Sequence, residues 1–151
     1  MLRVKIFTIG RLTKAYQELA DHYIKILQPY AKVEIQALPD FSKHGRVKAI
    51  EQESFQLQKA LPKDSHVVVL DEHGQTQTSI KFSQKLGMLV DRGQSLVLVI
   101  GGPYGLTPEF LKKHQCWSMS LLTFPHQLAL IILLEQLYRG LTIHAGKSYH
   151  H

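Results

Sequence analysis

The sequence of 151 residues has few of the features that mark several large classes of protein. It has one cysteine, Cys116, so no disulfide can form within the chain, which fits a reducing compartment such as the cytoplasm. No Cys/His spacing resembles a zinc site, so we expect no metal. The longest apolar run, Leu128 to Leu134, is far shorter than the roughly 20 residues of a membrane span, and the N-terminus lacks the apolar core of a signal peptide. These absences predict a cytoplasmic protein that does not enter a membrane.

The chain also lacks internal repeats and Ser/Gly-rich linkers, so we expect a single domain over residues 1–151. Apolar residues make up 44% of it, enough to bury a substantial core. The formal net charge is +6, and the basic residues are spread along the chain instead of forming a tail. This balance indicates either an anionic partner such as RNA or only a solubilising surface, and charge alone does not separate the two.

Hydrophobic patterning predicts strands that alternate with helices. Strands are expected at 2–9, 32–38, 65–70, 95–100 and 116–118, and helices at 13–27, at 46–61, from Ser79, from Thr107, and from Pro125 to about Ile143. Polar or glycine-containing stretches predict a mobile loop at 40–45, a turn at 71–74, and a loop or extended segment at 121–124. Together these elements predict an α/β fold with a mostly parallel sheet and helices on both of its faces.

A glycine-rich turn follows one of the buried strands. Leu96 to Ile100 is continuously apolar and runs into Gly101-Gly102-Pro103-Tyr104-Gly105. Glycine has no Cβ, so backbone can approach a ligand closely there, and ligands of open α/β sheets bind outside the carboxyl ends of strands. The sequence therefore predicts a small-molecule site in the second half of the chain.

The last predicted helix is apolar on every side between residues 128 and 134. A helix on the surface would show a polar face there, so this one must be covered on two sides. The sheet accounts for one side. Either a second subunit covers the other side or the helix is central within one chain. In a chain of this size the second arrangement is harder to build, so we expect a homodimer.

Several short blocks in this chain resemble the SPOUT methyltransferases, and more narrowly the bacterial family of large-subunit ribosomal RNA methyltransferases H. The blocks are Ile9-Gly10-Arg11-Leu12, Tyr30-Ala31-Lys32, Leu70-Asp71-Glu72-His73-Gly74, residues 100–106, residues 117–126, residues 135–139, and Tyr149-His150. The resemblance covers nearly the whole chain, and the C-terminal blocks, in order and with compatible spacing, are its specific part.

The resemblance implies a C-terminal trefoil knot and the cofactor S-adenosylmethionine. It also implies methylation of N3 of a pseudouridine in 23S rRNA, with the assembled ribosome as substrate because one small domain has little surface for recognising free RNA. It assigns cofactor contacts to the three knot loops. These contacts are Leu70, Gly101, Met119, Ser120, Leu121, Leu122, Thr123 and Phe124.

Three further residues become candidates for catalysis through the same resemblance. N3 of a uracil-like ring carries a weakly acidic proton, whose loss is helped by a base or by a cation near the ring oxygens. We expect Arg139 to be that cation, His150 to assist proton removal or base docking, and Tyr149 to stack on a base. Alternatively, Arg139 only pairs with a carboxylate across the dimer.

The chain departs from the family pattern at two positions. Leu130 stands where an arginine is usual, and His151 stands where the family has Arg or Lys after Tyr-His. Both changes remove positive charge near the expected RNA site, which motivates an alternative function as an inactive RNA- or ribosome-binding relative. A dinucleotide-binding enzyme is a weaker alternative, because no G-x-G-x-x-G follows the first strand.

Overall fold

The computed structural model describes all 151 residues, and its centre is a five-stranded sheet in which every pair of neighbouring strands is parallel. The strands are β1 (Leu2–Ile9), β2 (Ala31–Leu38), β3 (His66–Thr76), β4 (Ser95–Ile100) and β5 (Gln115–Ser118). Their order in the sheet is β2-β1-β4-β3-β5. This order differs from the 3-2-1-4-5-6 order of the dinucleotide-binding fold.

Four helices connect successive strands, and a fifth follows the last strand. They are α1 (Lys14–Leu27), α2 (Arg46–Ala60), α3 (Ser79–Asp91), α4 (Pro108–Lys112) and α5 (His126–His144). The predicted parallel sheet and the helices are confirmed, with most boundaries within one or two residues. The segment predicted as a polar loop at 40–45 contains one 3-10 turn, Ser42–His44. None of these helices combines the length and apolar content needed to cross a membrane.

The predicted turn at 71–74 is wrong, because β3 continues through it to Thr76. Leu70 and Gln75 both pair with Trp117 of β5, so the residues between them form a bulge in an otherwise continuous strand. Gly74 makes this pairing possible, since a Cβ at that position would lie 2.7 Å from the carbonyl carbon of Cys116. Register against a neighbouring strand is a tertiary property, so the local turn signal of Asp71 to Gly74 was misleading.

Helices cover both faces of the sheet, as predicted. On one face α1, α3 and α5 pack over the larger core cluster, with buried residues such as Leu27, Leu86 and Leu134. On the other face α2 and α4 pack over a smaller cluster that includes Leu57 and Phe110. The strands between the two layers are therefore apolar on both sides, which explains their continuous β-branched runs.

Helix α5 is the central helix of its layer, flanked by α1 and α3. Leu130, Leu134 and Leu137 are completely buried within one chain, while Leu128 and Ile132 stay partly exposed. Ser83 on α3 donates a hydrogen bond to the carbonyl of Gly140 on α5 at 2.6 Å, which fixes the two helices closely together. The apolar run thus finds its cover inside one chain, so this helix alone no longer argues for a dimer.

Candidate active site

A cleft of about 840 Å³ opens where the carboxyl ends of β3, β4 and β5 meet. Seven of the eight residues predicted to contact a cofactor line it, namely Leu70, Gly101, Met119, Ser120, Leu122, Thr123 and Phe124. The eighth, Leu121, does not line the cleft and is 84% exposed. Three chain segments that are far apart in sequence therefore converge on one volume, which lies in the range typical of small-molecule sites.

The glycine turn after β4 rests on a buried glutamate. A Cβ on Gly102 would lie 2.5 Å from Oε1 of Glu53, so only glycine fits above this side chain. Glu53 is 1% exposed, and its Oε2 accepts a hydrogen bond from the backbone N–H of Phe41 at 2.9 Å. Its Oε1 has no hydrogen-bond partner. Gly102 therefore has a packing role beneath the cleft, which the sequence did not predict.

Burial raises the pKa of the Glu53 carboxyl, the hydrogen bond from Phe41 opposes that shift, and the nearby charge of Asp40 adds to it. The neighbouring Ser54 accepts a hydrogen bond at 2.9 Å from the backbone N–H of Thr107. Ser54 thus holds one end of the segment 101–107 by a hydrogen bond, while Glu53 lies against Gly102 near the other end. Sequence reasoning missed Glu53, although its place at helical spacing between the apolar Ala49 and Leu57 was a signal of burial.

Carboxylates lie on the part of the cleft formed by the β3 bulge. Asp71 and Glu72 both line it. Glu72 accepts a hydrogen bond from the hydroxyl of Thr123 at 2.7 Å, which ties the bulge to the loop after β5. Within that loop the Ser120 hydroxyl accepts from the N–H of Leu122 at 3.0 Å. This wall is negatively charged and is held together by the cleft's own residues.

The predicted catalytic residues gather in a second place, which we call the Arg139 cluster (Glu135, Arg139, Tyr149 and His150). Arg139 donates from Nε and Nη2 to Oε1 of Glu135 at 3.0 and 2.6 Å. Its Nη1 lies 3.0 Å from Nδ1 of His150, and because arginine only donates, Nδ1 is an acceptor there. The Tyr149 hydroxyl donates to the same Glu135 oxygen at 3.2 Å, and the guanidinium carbon of Arg139 lies 4.9 Å from the Tyr149 ring centroid.

The electrostatics of this cluster follow from its contacts. The hydrogen bonds to Glu135 raise the pKa of Arg139, against the smaller effect of its partial burial. Burial and then the charge of Glu135 raise the pKa of Tyr149, so its hydroxyl stays protonated. The carboxylate that pairs with Arg139 therefore lies in the same chain, four residues earlier on α5, and not across a dimer as the alternative expected.

The Arg139 cluster and the cleft are separate within one chain. None of Arg139, Tyr149 and His150 lines the cleft. The last residue of α5 that does so is Ala129, and ten residues of helix rise place Arg139 about 15 Å further along the axis. The structure therefore brings the predicted catalytic residues together but does not bring them to the predicted cofactor residues.

Leu130, the position where the family pattern has an arginine, lies in the core and is 0% exposed. In this chain the Leu130 side chain packs in the core between α5 and the sheet. An uncharged residue there does not reduce the positive charge of the exposed surface. No group of three or more His, Cys, Asp or Glu side chains is arranged to hold a metal ion.

Comparison with known proteins agrees with this architecture. The chain superimposes over its full length on all of a solved structure from Bacillus anthracis described as an RNA methyltransferase, with a TM-score of 0.53 and 12% identity, which is a likeness of fold. Proteins called ribosomal RNA large subunit methyltransferase H are much more similar in sequence. Those of Flavobacterium johnsoniae, Thermotoga maritima and Bacillus cytotoxicus are 37%, 33% and 36% identical, and in each case the match covers 99% of this chain and at least 99% of the relative.

The family described as "Predicted SPOUT methyltransferase" matches residues 2–150, nearly the whole chain. The match includes every segment that forms the cleft and every residue of the Arg139 cluster. On this match and the full-length similarity of its relatives, the chain belongs to the SPOUT methyltransferase family.

Proposed function

We propose that this protein is an S-adenosylmethionine-dependent methyltransferase that methylates N3 of a pseudouridine in 23S rRNA. In this proposal it acts in the cytoplasm, as a homodimer, on the assembled ribosome. The observation that carries the proposal is the convergence of Leu70, Gly101 and the 119–124 loop on one cleft in a SPOUT-family chain. The ribosomal substrate is supported by the relatives' names and by the net charge of +6.

The residues of the cleft fit S-adenosylmethionine. Its sulfonium and ammonium groups are cationic, and Asp71 and Glu72 place two carboxylates on the lining. Leu70, Leu122 and Phe124 supply apolar walls for the adenosyl part, and the glycine turn supplies backbone groups. When bound, the cofactor supplies a methyl group on a positively charged sulfur. The protein's part there is to hold the reacting groups in line and to exclude water.

A homodimer resolves the separation of about 15 Å between the cleft and the Arg139 cluster. In a twofold-symmetric pair the same two surfaces meet twice, so the cluster of one chain can face the cleft of its partner. Exposed apolar side chains support such contact, since Leu121 beside the cleft and Leu19 on α1 both face solvent in the single chain. Support for a dimer thus comes from this separation and from the exposed apolar side chains, and no longer from the apolar run of α5.

The chemistry then divides among three side chains. Arg139 stabilises the negative charge that develops on the ring as the N3 proton leaves, and Glu135 holds the guanidinium in place. His150 accepts the N3 proton on Nδ1, the unprotonated ring nitrogen, once the target base displaces the Arg139 contact from that lone pair. Tyr149, whose ring packs against Tyr138 with centroids 4.8 Å apart, provides a face for the target base.

A methyl-transfer assay tests the proposal. The purified protein is incubated with radiolabelled S-adenosylmethionine and ribosomes from a strain that lacks the gene, and the labelled nucleotide is mapped. Label on N3 of a pseudouridine in 23S rRNA is the expected result. Label on another nucleotide would replace the substrate. No label, with cofactor binding intact by calorimetry, would favour the inactive RNA-binding relative, an alternative whose motive weakens because Leu130 is buried.

A further inference from the structure

One aromatic and cationic pair on the rim of the cleft has no place in the function described so far. Arg46 is the first residue of α2 and is exposed. Its guanidinium carbon lies 5.9 Å from the ring centroid of Tyr104, which is 40% exposed. Both side chains line the cleft, and Tyr104 follows Gly102 by only two residues. The pair therefore stands beside the glycine turn, open to solvent.

The charge of Arg46 is free to act on a ligand. Five contacts within 4.0 Å join basic and acidic groups in the chain, and none of them involves Arg46. Arg139, in contrast, is held by Glu135 at 2.6 Å. The cleft thus carries an unneutralised cation on this part of its rim and two carboxylates, Asp71 and Glu72, on the β3 bulge. The two carboxylates favour binding of a cationic cofactor, while Arg46 on the rim favours binding of a polyanion.

An exposed aromatic ring beside an arginine is well matched to an unpaired nucleotide. Bases stack on aromatic faces and on guanidinium planes, and arginine also binds phosphate. Stacking on one aromatic side chain contributes about 1–3 kcal/mol per base. A single strand that presents its target base to the cleft must pass its neighbouring nucleotides over the rim.

We propose that Arg46 and Tyr104 bind a nucleotide next to the target base, with the base stacked on Tyr104 and its phosphate at Arg46. The inference depends on the proposed function, since it assumes a single-stranded RNA segment at the cleft. It assigns to this pair a role in substrate binding and none in cofactor binding.

The chain offers a matched control pair. Lys59 lies 5.6 Å above the ring of Phe55, which is 58% exposed. This is the same kind of cation–aromatic contact, and both of its residues lie on α2, the helix that begins with Arg46. Neither of them lines the cleft. Loss of Phe55 should therefore leave RNA binding unchanged, whereas a general effect of removing an exposed aromatic side chain would appear in both variants.

The experiment measures the methyl-transfer kinetics of Tyr104→Leu, Tyr104→Phe and Phe55→Leu with ribosomes as the varied substrate. Tyr104→Leu should raise KM for ribosomes by about 5- to 150-fold, the range that corresponds to one stacked base. Tyr104→Phe keeps the ring and should retain most of the affinity, and Phe55→Leu should behave as wild type. The affinity for S-adenosylmethionine, measured by calorimetry, should not change in any variant.

A second measurement separates this inference from the proposed function. The affinity of a fluorescein-labelled single-stranded decauridylate is followed by anisotropy against salt concentration. Arg46→Gln should lower the slope of log affinity against log salt by about 0.7, the loss of one phosphate contact on a single strand. If the wild type binds this RNA through the pair but transfers no methyl group, the proposed function fails and the inference stands. If Tyr104→Leu matches wild type in both assays, or loses cofactor binding instead, the inference is overturned.

Discussion

The cleft and the Arg139 cluster are built in opposite ways. The cleft is made largely of loop backbone and apolar walls from separate segments that follow three different strands, and its shape depends on the packing beneath it. The cluster is made of charged and aromatic side chains from one helix and the tail that follows it. If the cleft binds the cofactor and the cluster carries the chemistry, as proposed, binding and chemistry can fail independently, because the two sites share no lining residue.

The two largest expected effects are of about the same order, and the first is on the cleft, with Gly102→Ala. The new Cβ would lie 2.5 Å from Oε1 of Glu53, so the turn must move. Displacement of about 1 Å in a positioned site can cost about 100-fold in rate, so we expect kcat to fall by that order. The affinity for S-adenosylmethionine, measured by calorimetry, should fall as well because the turn forms part of the cleft. The double variant Gly102→Ala with Glu53→Ala has room for the methyl group and should recover part of the affinity. If the double variant is no better than the single one, Glu53 does not set the position of the turn.

The second is on the cluster, with Arg139→Ala. Removal of a group that stabilises developing charge lowers kcat by about 10²- to 10³-fold, while the calorimetric affinity for S-adenosylmethionine should stay that of the wild type. Arg139→Lys keeps the charge but loses the double contact with Glu135, and an intermediate kcat is expected. Normal turnover in Arg139→Ala would remove this residue from the mechanism.

Mixing the two defective proteins tests whether the cleft and the cluster of one site come from different chains. If cleft and cluster come from different chains, a heterodimer of Gly102→Ala and Arg139→Ala has one intact composite site. After subunit exchange, half of the dimers are mixed, so activity should return to about a quarter of that of wild type. Mass spectrometry under native conditions would confirm the exchange. Mixed dimers without activity would mean that both parts must belong to the same chain.

The smallest effect is on stability. The folded-state pKa of Glu53 is raised above its usual 4.5, so the folded protein holds this proton more tightly than the unfolded chain. The free energy of unfolding should therefore fall as the pH rises from 4.5 through the raised pKa. Glu53→Gln removes this decline. Urea unfolding at a series of pH values would measure it.

Asp40 provides the control for that experiment, because its pKa shifts in the other direction. Hydrogen bonds from Ser42 hold the pKa of Asp40 below its usual 3.8. Its stabilising effect is present above pH 3.8 and is lost as the pH falls further. Asp40→Asn should therefore flatten the acid limb of the stability curve. Because the charge of Asp40 also helps to raise the pKa of Glu53, the decline at higher pH should become smaller but should remain, since burial is the larger cause of that shift. An unchanged acid limb in Asp40→Asn would contradict the role assigned to this carboxyl.

Local sequence patterns were sufficient for much of the fold. A buried strand such as Ser95–Ile100 is recognised from its apolar run, and a helix from its regular apolar stripe. Both patterns are visible within a short stretch of sequence. The convergence of Leu70 and Gly101 on the cleft was also predictable, since carboxyl ends of parallel strands share one edge of the sheet.

Other features depend on contacts between distant segments and had no local signal. The bulge after Leu70 exists because Gln75 returns to Trp117, a pairing across 42 residues. The outward direction of Leu121 depends on the hydrogen bond between Ser120 and Leu122 that closes the loop. The distance between Arg139 and the cleft could be calculated from helix rise, but only once Ala129 was known to line the cleft.

The bulge in β3 has a consequence for how this protein can change over time. Both of its ends are anchored on the same residue of β5, so Asp71, Glu72 and His73 can be exchanged without disturbing the pairing of any strand. The charge of this wall is therefore open to variation at little expense to the fold. The length of the bulge cannot vary in the same way. An added residue would displace Gly74 from its position against the backbone of Cys116, where there is no room for a Cβ.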